Sequence, residues 1–285
     1  MKAFKISKLD IFLISHKPAI TVLLFIFAVL SPLVYRVFNF TPALTPFAVW
    51  ILFYFYTEML FSQKVMAAEK PYIKSLDVEE TLNRISQFLN LLPSKSRKER
   101  LALLSDRVVF LIILGRFDKA KDTIEILKTA HKISDFPQIA AIIHMNEAGM
   151  AADLEDEAEM KKNFKIAENY IGKLKPFDFI TKKRLTSELT RISLFSQGNF
   201  TDDNDYEQKV ISYAKLDDSK VSGSLAPYQL FGPYFAIFNS YKRTNQEKAK
   251  EYANKIVDAV NPQLYAYKVA KEYLTNGDES NFDQN

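Results

Sequence analysis

The chain has 285 residues, of which 48% are apolar and 25% charged, and its net charge is +4. That charge is small and dispersed, where a nucleic-acid-binding face needs clustered Lys and Arg, so no nucleic-acid partner is expected. Cysteine is absent, which excludes disulfides, thiolate metal sites and cysteine nucleophiles; the few Gly (7) and Pro (11) favour long helices.

Residues 1–65 are dense in Phe, Leu, Ile and Val. Pro18–Tyr35 carries no charge over 18 residues, about 27 Å of helix against a bilayer core of roughly 30 Å. Pro46–Phe61 follows after the short segment Arg36–Thr45 and reaches similar length if it continues to Val65. The reading is a two-helix transmembrane hairpin with spans 18–35 and 46–65. A cleaved signal peptide is the alternative for the first span; no small-x-small pattern follows Tyr35, and a second span comes at once. Lys2, Lys5, Lys8 and Lys17 precede the first span, and Lys64, Lys70 and Lys74 follow the second, while the connecting loop has Arg36 alone. Basic flanks stay inside, so the expected location is the cell membrane with both termini cytoplasmic. Lys64, Lys70 and Lys74 would lie near the membrane surface, each attracted to anionic lipid by roughly 1 kcal/mol. Glu58 reads either as a functional intramembrane carboxylate or as an interfacial residue reached by Lys64 or water.

Val108–Leu114 is a third apolar run, but Arg107 and Arg116 bound it. It is too short to cross a bilayer and should be buried in a soluble domain. Ser96-Arg97-Lys98-Glu99 has the pattern of a capping box, so a helix is expected from about Arg97 to Leu114, stopping at Gly115. A second helix should begin near Asp118, with Ala120, Ile124 and Leu127 on one face. The sequence Gly115-x-Phe117-x-x-Ala120-x-x-x-Ile124-x-x-Leu127 resembles the second half of a tetratricopeptide repeat. Phe164, Ala167, Ile171 and Leu174 repeat the spacing 47 residues later. Gly198-Asn199-Phe200 repeats the turn, with Asp203 in place of the alanine, and Ala249, Ala253 and Ile256 restore the pattern. The implied period is about 41–47 residues, longer than the 34 of the strict repeat.

The resemblance spans residues 97–274 and implies an all-α, tetratricopeptide-like solenoid of about four helical hairpins. A generic α-solenoid or an irregular helical bundle stays open. The expected pairs after the first are 137–151 with 161–174, 182–197 with 205–216, and 225–243 with 246–260. A closing helix follows at 262–274. Residues 66–96 form a linker, including an amphipathic helix over 76–92, and 275–285 should be a disordered tail.

Chemistry is sparse. His16, His131 and His144 lack metal-ligand spacing, and no phosphate-binding glycine loop or nucleophile elbow occurs. "TDDNDYEQ" lacks the central glycine and closing glutamate of a calcium loop; "DLEDEAE" and "TKKR" read as solvated helix starts. No catalytic residue, metal or cofactor is expected, and the chain does not read as an enzyme. In the tetratricopeptide-like register the first helix of each pair lines an inner groove. That face carries Val109 and Ile112, then Ile192 and Phe195, then Tyr234, Phe238 and Tyr241 with Phe231. Such a groove would take an amphipathic helix or extended peptide; the same aromatic stripe would equally serve as core. The expectation is a membrane-anchored adaptor holding a protein or peptide partner at the cytoplasmic face. The alternative is a membrane-bound sensor of a signalling peptide or small ligand.

Overall fold

A computed structural model describes residues 5–38, 45–130, 132–216 and 227–279. Lys2, residues 39–44 of the expected turn, His131, residues 225–226 at the expected start of the fourth pair, and residues 280–285 lie outside them; residues 275–279, expected in the disordered tail, continue the last helix. Among the described residues there are twelve α-helices and no strand, so the chain is all-α. It divides into two units, Met1–Lys70 with Asn83–Leu103, and Pro71–Leu82 with Leu104–Asn285.

The first unit holds α1 (Lys8–Phe38), most of α2 (Thr45–Ser75), most of α3 (Val78–Leu91) and the start of α4 (Arg97–Ile113). A reciprocal capping box starts α1. The Ser7 hydroxyl accepts the Asp10 N–H, and the Asp10 carboxylate accepts the Ser7 N–H, both at 3.0 Å. Lys8–Leu30 is long and apolar enough to cross a membrane, with a mean hydropathy of 2.0, and among the described residues it alone meets that standard. Although α2 is as long, Glu58, Gln63 and the tyrosines 54 and 56 dilute it.

α1 and α2 meet in antiparallel register. Asp10 pairs with Lys64 at 2.8 Å, Lys17 with Glu58, and Phe25 with Trp50 at 5.5 Å between rings. Glu58 is thus reached by Lys17, and by Lys98 at 3.5 Å, rather than by Lys64, which Asp10 engages. The charged contacts gather toward one end of the pair. Beyond them both helices expose large apolar side chains, among them Val22, Leu23, Phe27 and Leu30 on α1 and Ile51, Leu52 and Phe55 on α2.

The second unit continues with α5 (Phe117–Ala130), α6 (Pro137–Asp153), α7 (Glu157–Gly172), α8 (Phe179–Ser196), α9 (Tyr206–Ala214), α10 (Pro227–Tyr241), α11 (Gln246–Ala259) and α12 (Tyr265–Glu279). The first two helix pairs repeat at 40 residues: α6 starts 40 after α4, and α7 starts 40 after α5. Their turns repeat as well. Gly115 and Glu155 both take positive φ, +72° and +58°. In each turn the next residue donates back to the residue five positions earlier, Arg116 to Leu111 and Asp156 to Ala151, both at 2.8 Å. In this register Met160, not Ala167, is the counterpart of Ala120. The Phe164–Leu174 pattern lies seven residues deeper in its helix than the Phe117–Leu127 pattern does. The third and fourth pairs keep no such register.

Small residues set the packing. α6 contributes buried Ala140, Ala141, Ala148, Ala151 and Ala152, which let α7 approach with Met160, Ala167 and Ile171. α10 and α11 pack together, with Ile237 of the first and Ala249, Ala253 and Ile256 of the second buried. At Gly198 a Cβ would lie 2.3 Å from the backbone oxygen of Ala236, so any side chain there must push α10 away. At Gly115 the obstacle is the φ itself and the ring of Tyr265, whose Cδ2 would be 2.8 Å away. A ring can rotate; a helix backbone cannot. Gly115→Ala should therefore cost about 1–2 kcal/mol and Gly198→Ala roughly 3 kcal/mol. Thermal unfolding followed by circular dichroism reads the order, and a Gly198→Ala protein as stable as wild type would disprove the close approach.

Candidate functional site

The first helices of the pairs, α4, α6, α8 and α10, surround a cavity of about 590 Å3 in the second unit, within the roughly 300–1,000 Å3 of small-molecule sites. Val109, Ile112 and Ile113 of α4, Met145 of α6, Ile192 and Phe195 of α8, and Phe231, Pro233 and Phe235 of α10 form its apolar wall. Two glycines keep the wall thin: Gly149 faces Ile192, and Gly232 lies against the Phe195 ring.

Polar side chains make up much of the remaining lining, among them Asn146, Asp153, Glu188, Arg191 and Asn199. Arg191 donates to Glu188 through Nε at 3.1 Å and Nη2 at 2.5 Å, and its guanidinium lies 5.6 Å from the centre of the Phe195 ring. The Nδ2 of Asn146 is buried and has no hydrogen-bond partner. Asn199 donates to the Ala152 carbonyl at 2.9 Å, serving the C-terminal turn of α6. Asp153 ends α6 at the cavity, and its carboxylate makes no hydrogen bond; only its main-chain carbonyl is engaged, by the Tyr265 hydroxyl at 3.4 Å. Lys242, whose charge is felt at Asp153, is committed to Glu155 at 2.6 Å. Burial pushes the Asp153 carboxyl up to about 7, which Lys242 offsets only in part. Its place at the negative end of α6 acts in the same direction.

Four of the seven residues singled out from sequence, Val109, Ile112, Ile192 and Phe195, line this cavity. The other three do not meet there. Phe238 is fully buried, with its ring against Tyr273 at 5.3 Å and Phe235 at 6.1 Å. Tyr234 packs toward Tyr252. Tyr241 donates to Glu207 at 2.6 Å, and Tyr252 donates to the other oxygen of that carboxylate at 2.6 Å. Burial raises the Glu207 carboxyl, but Lys248, Tyr241 and Tyr252 together outweigh it and hold it down at about 2. The aromatic stripe of α10 is therefore divided: Phe231 and Phe235 face the cavity, while Tyr234, Phe238 and Tyr241 join α10 to α9, α11 and α12. Lys64 is tied to Asp10, and Lys70 and Lys74 are exposed.

Sequence reasoning missed Asp153, Asn146 and the Glu188–Arg191 pair. Met145, Gly149 and Asp153 fall at i, i+4 and i+8 of one helix, so an acid sits on a face that is otherwise free of charge. That was the available signal, and the neighbouring acids of "DLEDEAE" masked it. His144 is structural: its Nδ1 lies 2.8 Å from Glu147 and 3.0 Å from Asn163, and its ring stacks on Tyr170. Among the described residues no group of three or more His, Asp or Glu is placed to hold a metal. A larger depression, about 960 Å3, lies between α7 and α8, but it is open and rimmed by Glu157, Lys161, Lys165 and Glu168. The cavity among α4, α6, α8 and α10, with the unpartnered Asn146 amide and the Asp153 carboxylate at its wall, is the stronger candidate.

Comparison with known family models, with curated proteins and with solved structures returns no match. The functional reading therefore rests on the cavity and on the helices of the first unit.

The raised Asp153 carboxyl has a defined consequence for stability. Between about pH 4 and 7 the unfolded chain gives up this proton while the folded chain keeps it, so stability falls as pH rises through that window. Asp153→Asn removes the loss. The variant should be more stable than wild type at pH 8 by on the order of 2 kcal/mol, with the gap closing toward pH 4. Thermal melts across that range check it; parallel curves for the two proteins would show that the carboxyl is not perturbed.

Proposed function

We propose that the chain is a membrane-anchored helical-repeat adaptor. An N-terminal hairpin formed by α1 and α2 holds it in the membrane with both termini cytoplasmic. A tetratricopeptide-like solenoid then takes an apolar segment of a protein or peptide partner at the cytoplasmic face. The observation that carries this reading is the convergence of α4, α6, α8 and α10 on one apolar-walled cavity, the arrangement by which a helical groove receives the anchor side chains of a peptide.

For the anchor, support comes from the apolar length of Lys8–Leu30 and from the exposure of Leu52 and Phe55 on α2, 68% and 65%, beside 66% for Leu23 on α1. Lipid is the solvent in which such side chains are stable. The pairing of Glu58 with Lys17 offsets the cost of a carboxylate near the apolar part of α2. Basic residues flank both helices on the same side of the sequence pattern, which supports the orientation.

One observation favours a second reading. The cavity has the size of a small-molecule site and an unpaired acid at its edge, which suits an exchangeable ligand and hence a sensor.

A photo-crosslinking amino acid at Ile192, in full-length protein purified in mild detergent from its own cells, tests both. A crosslinked polypeptide supports the adaptor, and a crosslinked small molecule supports the sensor. An Ile112→Glu background should cut either product about tenfold by placing a charge in the apolar wall, while circular dichroism confirms that the helices persist. No crosslink in either background would remove the cavity as the binding site.

A further inference from the structure

The second unit carries one surface feature that the cavity does not absorb. At the start of α8, Phe179 and Ile180 are 67% and 71% exposed. These values match those of Leu23, Leu52 and Phe55, the residues assigned to lipid on α1 and α2. The other large hydrophobics exposed in this unit, among the described residues, are less so and none adjoins another: Ile73, Ile126, Leu154 and Tyr213 lie between 37% and 51%. The sequence around the pair is basic. Residues 173–184 contain Lys173, Lys175, Lys182, Lys183 and Arg184 against the single acid Asp178. Lys182, Lys183 and Arg184 are consecutive, exposed and make no ion pair; Lys119 and Lys121 of the same unit are also exposed and unpaired but have no exposed apolar pair beside them.

We propose that this helix start is a second membrane contact, in which Phe179 and Ile180 enter the headgroup region of an anionic bilayer and Lys182, Lys183 and Arg184 engage its phosphates. An apolar pair beside unneutralised cations is the composition that binds anionic interfaces. A folded protein partner fits less well: two side chains offer a few hundred Å2 at most, against about 800 Å2 per partner in a stable interface. A bilayer needs no matching surface. The tether supplied by the first unit keeps lipid at high effective concentration, so a weak contact suffices. This inference rests on the anchor in the proposed function and is independent of what fills the cavity.

Because the chain has no cysteine, Ile180→Cys creates a unique labelling site. The full-length variant, carrying a polarity-sensitive fluorophore, is reconstituted into nanodiscs of phosphatidylcholine alone or mixed with phosphatidylglycerol, with and without lipid-borne quenchers. The expected result is a blue-shifted, lipid-quenched probe in anionic discs, weakened by high salt. Each of Lys182→Gln, Lys183→Gln and Arg184→Gln should lower the docked-to-undocked ratio about fivefold. The same probe at Ile126→Cys should stay in water. A water-exposed probe at position 180 overturns the proposal, as does equal quenching in neutral and anionic discs. A blue shift that lipid quenchers leave untouched and that grows with protein per disc also overturns it, in favour of self-association. Failure to enter nanodiscs would instead sink the anchor reading. Lipid quenching of the probe on added anionic vesicles would then support the contact, and its absence would overturn it.

Discussion

The second unit depends on the way α6 is buried. Its alanines lie against α7 closely enough for two small clusters of apolar residues to close between them, while Met145, Asn146, Gly149 and Asp153 face the cavity. A helix buried on most of its circumference cannot slide without opening a void or clashing, because protein interiors pack near the density of organic crystals. Once α6 and α7 are held together, α8 packs across both through Leu185, Leu189 and Ile192, and α10 closes against α8. What remains among these helices is the cavity.

Two acids show how environment divides identical chemistry. Glu207 is drawn inward but meets two tyrosine hydroxyls and a lysine, so three elements are joined through one carboxylate that stays ionised. Asp153 is drawn inward and meets none of these. Native interiors rarely leave a polar group unmatched, and here the unmatched acid opens on a space large enough for a ligand. Nearby Asn146 is also unmatched. Two unmet groups beside one cavity are more informative than either alone, since each is costly for the fold.

The first unit handles charge in another way. Its apolar side chains face outward along α1 and α2, and its charges pair with each other at one end. That is the inverse of the second unit, where apolar residues turn inward and ion pairs lie on the surface. Under the proposed anchoring the difference is one of solvent: lipid rewards outward apolar surface, and water penalises it. Phe179 and Ile180 are the place where the second unit follows the rule of the first.

Much of the architecture was legible in the sequence, because it is written in local terms. The stop at Gly115 and the apolar run of α1 follow from backbone freedom and composition over a few residues. The helix from Arg97 starts where expected, but no capping box closes there, because the Ser96 hydroxyl makes no hydrogen bond, and the last helix begins at Tyr265 rather than at Pro262. The convergence of Val109, Ile112, Ile192 and Phe195 was readable to the extent that first helices of successive pairs line a common face. The period was less legible: alanine spacings recur by chance along helices, and only the turns at Gly115 and Glu155 set it at 40 residues. Tertiary structure alone decided the rest. A 3-4-3 aromatic spacing places Tyr234, Phe238 and Tyr241 on one side of α10, but what that side meets depends on where α9, α11 and α12 come to lie. Likewise Asp153 is put on the face of Met145 and Gly149 by helical spacing, but that spacing does not say that this face meets a cavity. Its isolation comes from Lys242 reaching Glu155 instead, a contact across 87 residues of chain, and from the packing that draws one carboxylate inward and leaves its neighbours in water.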